Sequence, residues 1–451
     1  MPSPQVLPGI HWPSIALGPA TPLLNLMAQL AELERASPEI LRAGQEQQLR
    51  ELGRHFAEHC PFHHARLLAA GLDPAQPLDL QTLQRLPLLR RRQVQEAGDR
   101  LFSRHVPASH LPVTEMRTSG STGEAVMVLT TQVSKLFWLA LTLREHQWWQ
   151  RDYQGTLVAL RGNLSQARIS QDSWGPPVSL VAASGPAHAI SMARGSVELL
   201  NDLQEIAPDY LLLHPTALQD LLRALPADGT ALNSVRQIRS IGETLGASLR
   251  TQTRERLGIE IVDCYSSQEI GVIALQCPGS GLYHLMAEHL IVEVLDEQGR
   301  PCLEGEIGEV VVSDLHNFAT PLLRYALGDH AEVGGPCPCG RNLPTLRRIH
   351  GRSRNMLRHP DGRRRWPFGF DPMRQVAPMI RQFQLVQHSL HALELRLVVA
   401  QPLQPEHQAA LRQMIHEALE YPFELTFSFF EERIPSGKNG KFEEFLCTLP
   451  D

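Results

Sequence analysis

Residues 210–225 read Tyr-Leu-Leu-Leu-His-Pro-Thr-Ala-Leu-Gln-Asp-Leu-Leu-Arg-Ala-Leu, and the reading of this stretch decides the fold. Tyr210–Leu213 is a short apolar run without polar alternation, the mark of a strand buried on both faces. Thr216–Leu225, just after it, has helical spacing. The alternation extends both ways. Apolar runs at Thr156–Leu160, Val178–Ala183, Val235–Ile241 and Glu260–Cys264 are expected as further buried strands, and Leu245–Arg256 as a further helix. Strands alternating with helices imply an α/β fold with a mostly parallel sheet.

Further out, apolar residues recur at helical spacing from Leu23 to about Gln95, as in Leu49, Leu52 and Phe56, and a helix is expected from Gln132 to about Trp149. Residues 1–22 hold six prolines and read as an irregular arm. From Val272 to Val333 strands dominate, with turns such as Glu297-Gln298-Gly299, so a β-rich lobe is expected. Gly351–Arg365 is rich in Arg and Gly with little periodicity and reads as a hinge or linker. Beyond it, strands at Gln382–Gln387, Leu393–Val399 and Phe423–Phe429 accompany a helix at Pro405–Leu419. The expected plan is a large domain over 1–350, a linker over 351–365 and a small α+β domain over 366–451.

A chain of 451 residues exceeds one ordinary core. Its formal net charge of -6 argues against nucleic acid as the partner. The first basic residue is Arg35, so the basic start of a signal peptide is missing. The best apolar run, Leu136–Leu143, is closed off by Lys135 and Arg144, so no membrane span is expected. Seven cysteines, an odd number, fit a reducing compartment, with the cytoplasm as default. Of 42 Lys and Arg residues only three are Lys: Lys135, Lys438 and Lys441. Two of them share one short segment, which suggests an amine is wanted where a guanidinium would not serve.

Thr118-Ser-Gly-Ser-Thr-Gly123 can turn several N–H groups toward one point, and Ser119, Ser121 and Thr122 add hydroxyl donors around Gly120 and Gly123. Such a concavity suits a phosphate chain. It lacks the lysine of the common phosphate loop, and taken alone it reads equally as a polar surface turn. Four more segments follow in order: Tyr265-Ser-Ser-Gln-Glu269, Arg324-Tyr-Ala-Leu-Gly-Asp329, Gly351-Arg352, and Ile434-Pro-Ser-Gly-Lys-Asn-Gly-Lys441-Phe.

That ordered series resembles the acyl-adenylate-forming superfamily, and within it the branch typified by phenylacetate–coenzyme A ligase and related capsule-biosynthesis proteins. The resemblance runs from about residue 80 to 445. It implies a large N-terminal domain, a small mobile C-terminal domain and an active site between them. The Thr118–Gly123 turn would hold the pyrophosphate end of ATP; Glu124 and Ala125 stand where many relatives carry Lys-Pro. Tyr265 would pack on adenine, with Ser266, Ser267 and Gln268 beside it, although Ser266 replaces a common Gly and Gln268 a small residue. Glu269 would coordinate Mg²⁺, as a hard oxygen ligand. Gly242 and Glu243 fall where relatives carry a short Gly-x-Glu segment near the nucleotide. Asp329 would accept from the ribose hydroxyls. Arg352 would reach ribose or phosphate, and Arg354 and Asn355 replace the family's acidic hinge pair. Lys441 would stabilise charge as a carboxylate meets the triphosphate, with Lys438 as the alternative. Blander readings stand beside these: Tyr265 as a core aromatic, Asp329 as a turn residue, the lysines as solvated.

Cys337-Pro-Cys339 and the upstream Cys277 and His284 are expected to form a tetrahedral Cys₃His site for structural Zn²⁺, set against buried unpaired cysteines. The resulting expectation is an enzyme that uses ATP and Mg²⁺ to adenylate a small carboxylic acid, aryl or arylacetic by resemblance. It would then pass the acyl group to a thiol, coenzyme A or a carrier protein, or to an amine. A homodimer is the family-level expectation. The rivals are a non-catalytic nucleotide-binding homologue and a zinc-dependent hydrolase.

Overall fold

The computed structural model describes residues 6–11, 14–16, 18, 20–117, 126–162, 164–226, 230–352, 356–365, 370–431, 434–435 and 442–449. The chain divides into two compact units. One comprises Met1–Gly242 with Ile261–Ile349, the other Glu243–Glu260 with His350–Asp451.

The first unit is built on a twelve-stranded sheet. Its strands in chain order are β1 (Leu157–Arg161), β2 (Arg168–Gln171), β3 (Ala187–Ser191), β4 (Tyr210–Leu213), β5 (Gln237–Ile241), β6 (Glu260–Ser267), β7 (Gly271–Gln276), β8 (Tyr283–Leu285), β9 (Leu290–Leu295), β10 (Ile307–Asp314), β11 (Tyr325–Val333) and β12 (Thr345–Arg352). In space they run β9-β10-β11-β12-β8-β7-β6-β5-β4-β1-β3-β2. Strand β1 pairs in parallel with β3 and β4, and β4 with β5. The pairs β6–β7, β7–β8, β9–β10 and β10–β11 are antiparallel, which forms the β-rich part. All four side chains of β4 are buried, as an uninterrupted apolar run requires when both faces are covered.

Helices flank this sheet. Pro215–Ala224 follows β4 and buries Leu218, Leu221 and Leu222. Gln132–Trp148 starts at Thr131, whose hydroxyl accepts from the Ser134 N–H at 3.1 Å and so caps the helix. Helices between Ala20 and Ala97 carry the expected periodic residues: Leu49, Leu52 and Phe56 are fully buried.

Three expectations need correction. The apolar run Val178–Ala183 is not a strand; it contains the short helix Val178–Val181, in which Val178 is buried beneath other side chains. A run so short is read as strand or buried helix only by its surroundings. The proline-rich arm is not wholly irregular, because Val6–His11 and Ser14–Ala16 pair antiparallel. The Arg-rich stretch 351–365 likewise holds a pair of two-residue strands, Leu357–Arg358 and Arg364–Arg365, with Leu357 fully buried.

In the second unit, Ile380–Gln387 and Ala392–Val399 form a hairpin, extended by the parallel strands Phe445–Cys447 and Glu424–Phe430 on its two sides. Helix Pro405–Leu419 buries Leu411, Ile415 and Leu419 in the core of this sheet. Among the described residues no helix is long and apolar enough to cross a membrane.

Candidate active site

The carboxyl ends of the parallel strands β4 and β5 bring two sequence segments together, which is where open α/β sheets present ligands. His214 follows β4 and Gly242 follows β5, while Tyr265 lies two residues before the end of the adjacent strand β6. The His214 Nδ1 is 2.8 Å from the Ile241 carbonyl. Gly242 has φ of 76°. A Cβ there would come within 2.8 Å of the His214 ring, so glycine is required both for the turn and for the approach.

Tyr265 is buried, and its hydroxyl donates to Asp329 Oδ2 at 3.0 Å. The β6–β7 pairing shifts register between Tyr265 and Ser266, a bulge that re-aims the side chains at the strand end. The ring belongs to the apolar core, as the blander reading expects, and its hydroxyl reaches the Asp329 carboxylate. Asp329 lies within β11, not in a turn. In the turn after β6, Ser267 Oγ accepts from the Ile270 N–H at 3.2 Å, while Ser266 is half-buried and Gln268 exposed.

Glu269 is buried in the same turn and pairs with Arg91 Nη1 at 3.1 Å. Arg91 opens the helix Arg91–Ala97, and sequence reasoning missed it. Three successive arginines at 90–92 hide which one turns inward. The Glu269 carboxylate therefore already faces a cation. A divalent ion fits this hard oxygen donor once the guanidinium turns toward another anion, such as a phosphate.

The glycine turn Thr118–Gly123, with Glu124 and Ala125, lies outside the described residues. So do Arg354, Asn355, Lys438 and Lys441. The strands flanking the glycine turn are described: Thr114–Arg117 pairs with Met127–Thr130, with Arg117 opposite Met127. Leu129 in this hairpin is held from both sides, by Thr320 Oγ1 accepting at 2.8 Å and Asn317 Nδ2 donating at 2.9 Å.

In the second unit, Glu243 and Arg352 are half-buried. A Cβ on Gly351 would lie 2.7 Å from Thr244 Oγ1, so the Gly351-Arg352 segment passes directly against the residue after Glu243.

The sulfur and nitrogen donors of Cys277, His284, Cys337 and Cys339 all lie within 4.8 Å of one another. Cys277 Sγ and Cys337 Sγ are 3.7 Å apart, and Cys339 Sγ is 3.3 Å from His284 Nε2. A tetrahedral zinc with Zn–S near 2.3 Å sets two sulfurs about 3.8 Å apart. His284 Nδ1 faces the Leu343 carbonyl at 3.4 Å, which leaves Nε2 free as a donor. Burial opposes ionisation of Cys277, yet hydrogen bonds from the Ser280 side chain and the Ser280 and Gly279 backbone bring it down to about 7. The donor set fits zinc, and an ion held there would tie the β7–β8 turn to the loop between β11 and β12.

A family model described as AMP-binding enzyme matches residues 62–320. The phenylacetate–coenzyme A ligase of Thermus thermophilus is 26% identical over 343 residues, covering 72% of this chain and 73% of that protein. The phenylacetate–coenzyme A ligase of Escherichia coli is 25% identical over 349 residues, covering 73% and 75%. Among solved structures, a 2-hydroxyisobutyryl-CoA ligase in its postadenylation state superposes with a TM-score of 0.71 at 18% identity, covering 92% of this chain and 90% of that one. An anthranilate CoA ligase bound to anthranoyl-AMP gives 0.53 at 17%, covering 73% and 65%. These two likenesses are of fold.

Proposed function

The chain belongs to the AMP-binding enzyme family, and we propose that it is an acid–thiol ligase that makes an acyl-adenylate and transfers the acyl group to coenzyme A. In the first half-reaction a carboxylate oxygen bonds to the α-phosphorus of ATP. The bond from that phosphorus to the bridging oxygen breaks, and pyrophosphate leaves. In the second, the thiol gives up its proton to solvent, its sulfur bonds to the acyl carbon, and AMP departs. Activation is needed because a free carboxylate resists nucleophiles, whereas the mixed anhydride has a good leaving group.

The observation that supports this reading most is the Tyr265–Asp329 hydrogen bond. It sets an aromatic face beside an oriented carboxylate, with Glu269 four residues further along the same hairpin, and adenosine presents the matching surfaces. Tyr265 packs on adenine with Ser266, Ser267 and Gln268 beside it, and the Gly242-Glu243 segment lies near the nucleotide. Asp329 accepts from the ribose hydroxyls. Glu269 holds Mg²⁺, which supplies neutralising charge to the triphosphate. Thr118–Gly123 receive the pyrophosphate, Arg352 contacts ribose or phosphate, and Lys441, on the small C-terminal domain, stabilises charge between carboxylate and α-phosphate. The Cys277–His284–Cys337–Cys339 cluster holds a structural zinc, because four protein donors leave no open position for chemistry. The substrate class is an arylacetic or related aromatic acid, on the strength of the relatives named above. A cytoplasmic location accords with seven cysteines of which none is in a disulfide.

The test is ATP–pyrophosphate exchange with a panel of carboxylic acids, run with and without coenzyme A. Exchange driven by an aromatic acid, and acyl-CoA formed only when coenzyme A is added, is the expected result. No exchange with any acid, while ATP still binds, would refute a catalytic role.

A further inference from the structure

A second group of metal-ligating side chains lies outside both sites described above. His289 precedes β9, Asp314 ends β10, and His316 follows two residues later. The antiparallel β9–β10 pairing places Leu290 opposite Asp314, so His289 and Asp314, 25 apart in sequence, meet at one sheet end. One donor atom from each of the three residues lies within 4.8 Å of the others. The two Nδ1 atoms are 3.2 Å apart. Two imidazoles sharing a tetrahedral ion at Zn–N distances near 2.0–2.1 Å have donors about 3.3 Å apart.

The surroundings hold the group in place. Asp314 Oδ1 accepts from the backbone N–H of His316 at 2.9 Å and of Asn317 at 3.3 Å, which orients the carboxylate without cancelling its charge. Phe137 covers both rings, stacked on His289 at 4.6 Å and tilted over His316 at 4.1 Å. His289 and Asp314 are buried. A buried carboxylate beside two imidazole nitrogens is an environment that a dication relieves.

We propose that His289, Asp314 and His316 form a second cation site, independent of the cysteine cluster and suited to a borderline divalent ion such as Zn²⁺, with water completing the shell. Two nitrogens and one carboxylate disfavour Mg²⁺ and Ca²⁺, which take oxygen donors. The site reaches the nucleotide machinery through one bond: the His289 ring donates to the carbonyl of Ile270, the residue after Glu269. An ion there holds the turn that carries Glu269.

Co²⁺ titration of the Cys337→Ser/Cys339→Ser protein isolates the site. It should bind one Co²⁺ with visible d–d bands and no thiolate charge-transfer band, and His316→Ala in that background should abolish binding. Asp314→Asn should weaken it at least tenfold. A parallel measurement covers a cysteine variant that fails to fold. The wild-type chain, loaded with Zn²⁺ and dialysed, should lose one equivalent on His316→Ala with an unchanged circular dichroism spectrum. Zinc or cobalt content unaffected by His316→Ala would overturn the proposal and leave a hydrogen-bonded histidine pair only.

Discussion

Tyr265 and Asp329 stand 64 residues apart in the chain, and the phenol of one donates to the carboxylate of the other at 3.0 Å. The bond joins two motifs whose roles the sequence suggests separately. It makes the proposed ribose acceptor depend on the proposed adenine platform.

Tyr265→Phe should therefore act at a distance from its own ring. The aromatic face stays, but Asp329 loses a donor in a buried setting, a change of about 1–2 kcal/mol. The KM for ATP should rise roughly 5- to 30-fold while kcat changes little. Steady-state kinetics at saturating acid decides it, and an unchanged KM would separate Asp329 from nucleotide binding.

Arg91 and a divalent cation compete for Glu269 in the proposed site. Arg91→Gln should lower the Mg²⁺ concentration for half-maximal activity by up to about fivefold, the scale of a partly exposed ion pair. A higher Mg²⁺ requirement would show instead that Arg91 supports the bound ion.

Lys441→Ala should reduce pyrophosphate exchange about 10²- to 10³-fold, whereas Lys438→Ala should leave it near wild type. The same Lys441→Ala protein should still convert a chemically supplied acyl-adenylate to the thioester, since that step needs no new charge at the α-phosphate. The reversed pattern would move the role to Lys438.

Removal of the cysteine-bound ion should unpin loops and leave the chemistry alone. Cys339→Ser should lose one zinc per chain and lower Tm by roughly 5–10 °C, with acyl-CoA formation at 25 °C largely retained. Loss of activity without loss of Tm would make the metal catalytic.

His63 is buried against the Pro321 carbonyl at 2.6 Å. Burial pushes it down to about 3, with Arg66 adding to the effect. The unfolded chain takes up this proton near pH 6.5 and the folded chain does not, so the stabilisation is complete above about pH 6.5 and shrinks as pH falls toward 3. Between pH 6.5 and 5.5 the loss should be about 1 kcal/mol from this residue. Urea midpoints against pH, compared between wild type and His63→Gln, measure it; parallel curves would exclude the assignment.

The helix Pro405–Leu419 begins and ends where its apolar spacing indicates, and β4 spans the expected four residues. Both carry long or pure patterns that leave one way to bury them. Val178–Ala183 offers no such pattern, and its neighbours impose a helical turn. Leu357 was hidden because a strand of two residues has no period, yet it fills the core of the second unit.

By itself, then, the order of residues determined the α/β class and the succession of motifs, and it singled out Tyr265, Glu269, Asp329, Cys277, His284, Cys337 and Cys339 as candidates. Only the tertiary structure decided that Tyr265 touches Asp329, that Arg91 among three arginines meets Glu269, and that His289, Asp314 and His316 gather at one sheet end. Periodicity and motif spacing act along the chain, over a turn or a strand. Partners separated by tens or hundreds of residues are chosen by strand pairing and close packing, which no local pattern encodes.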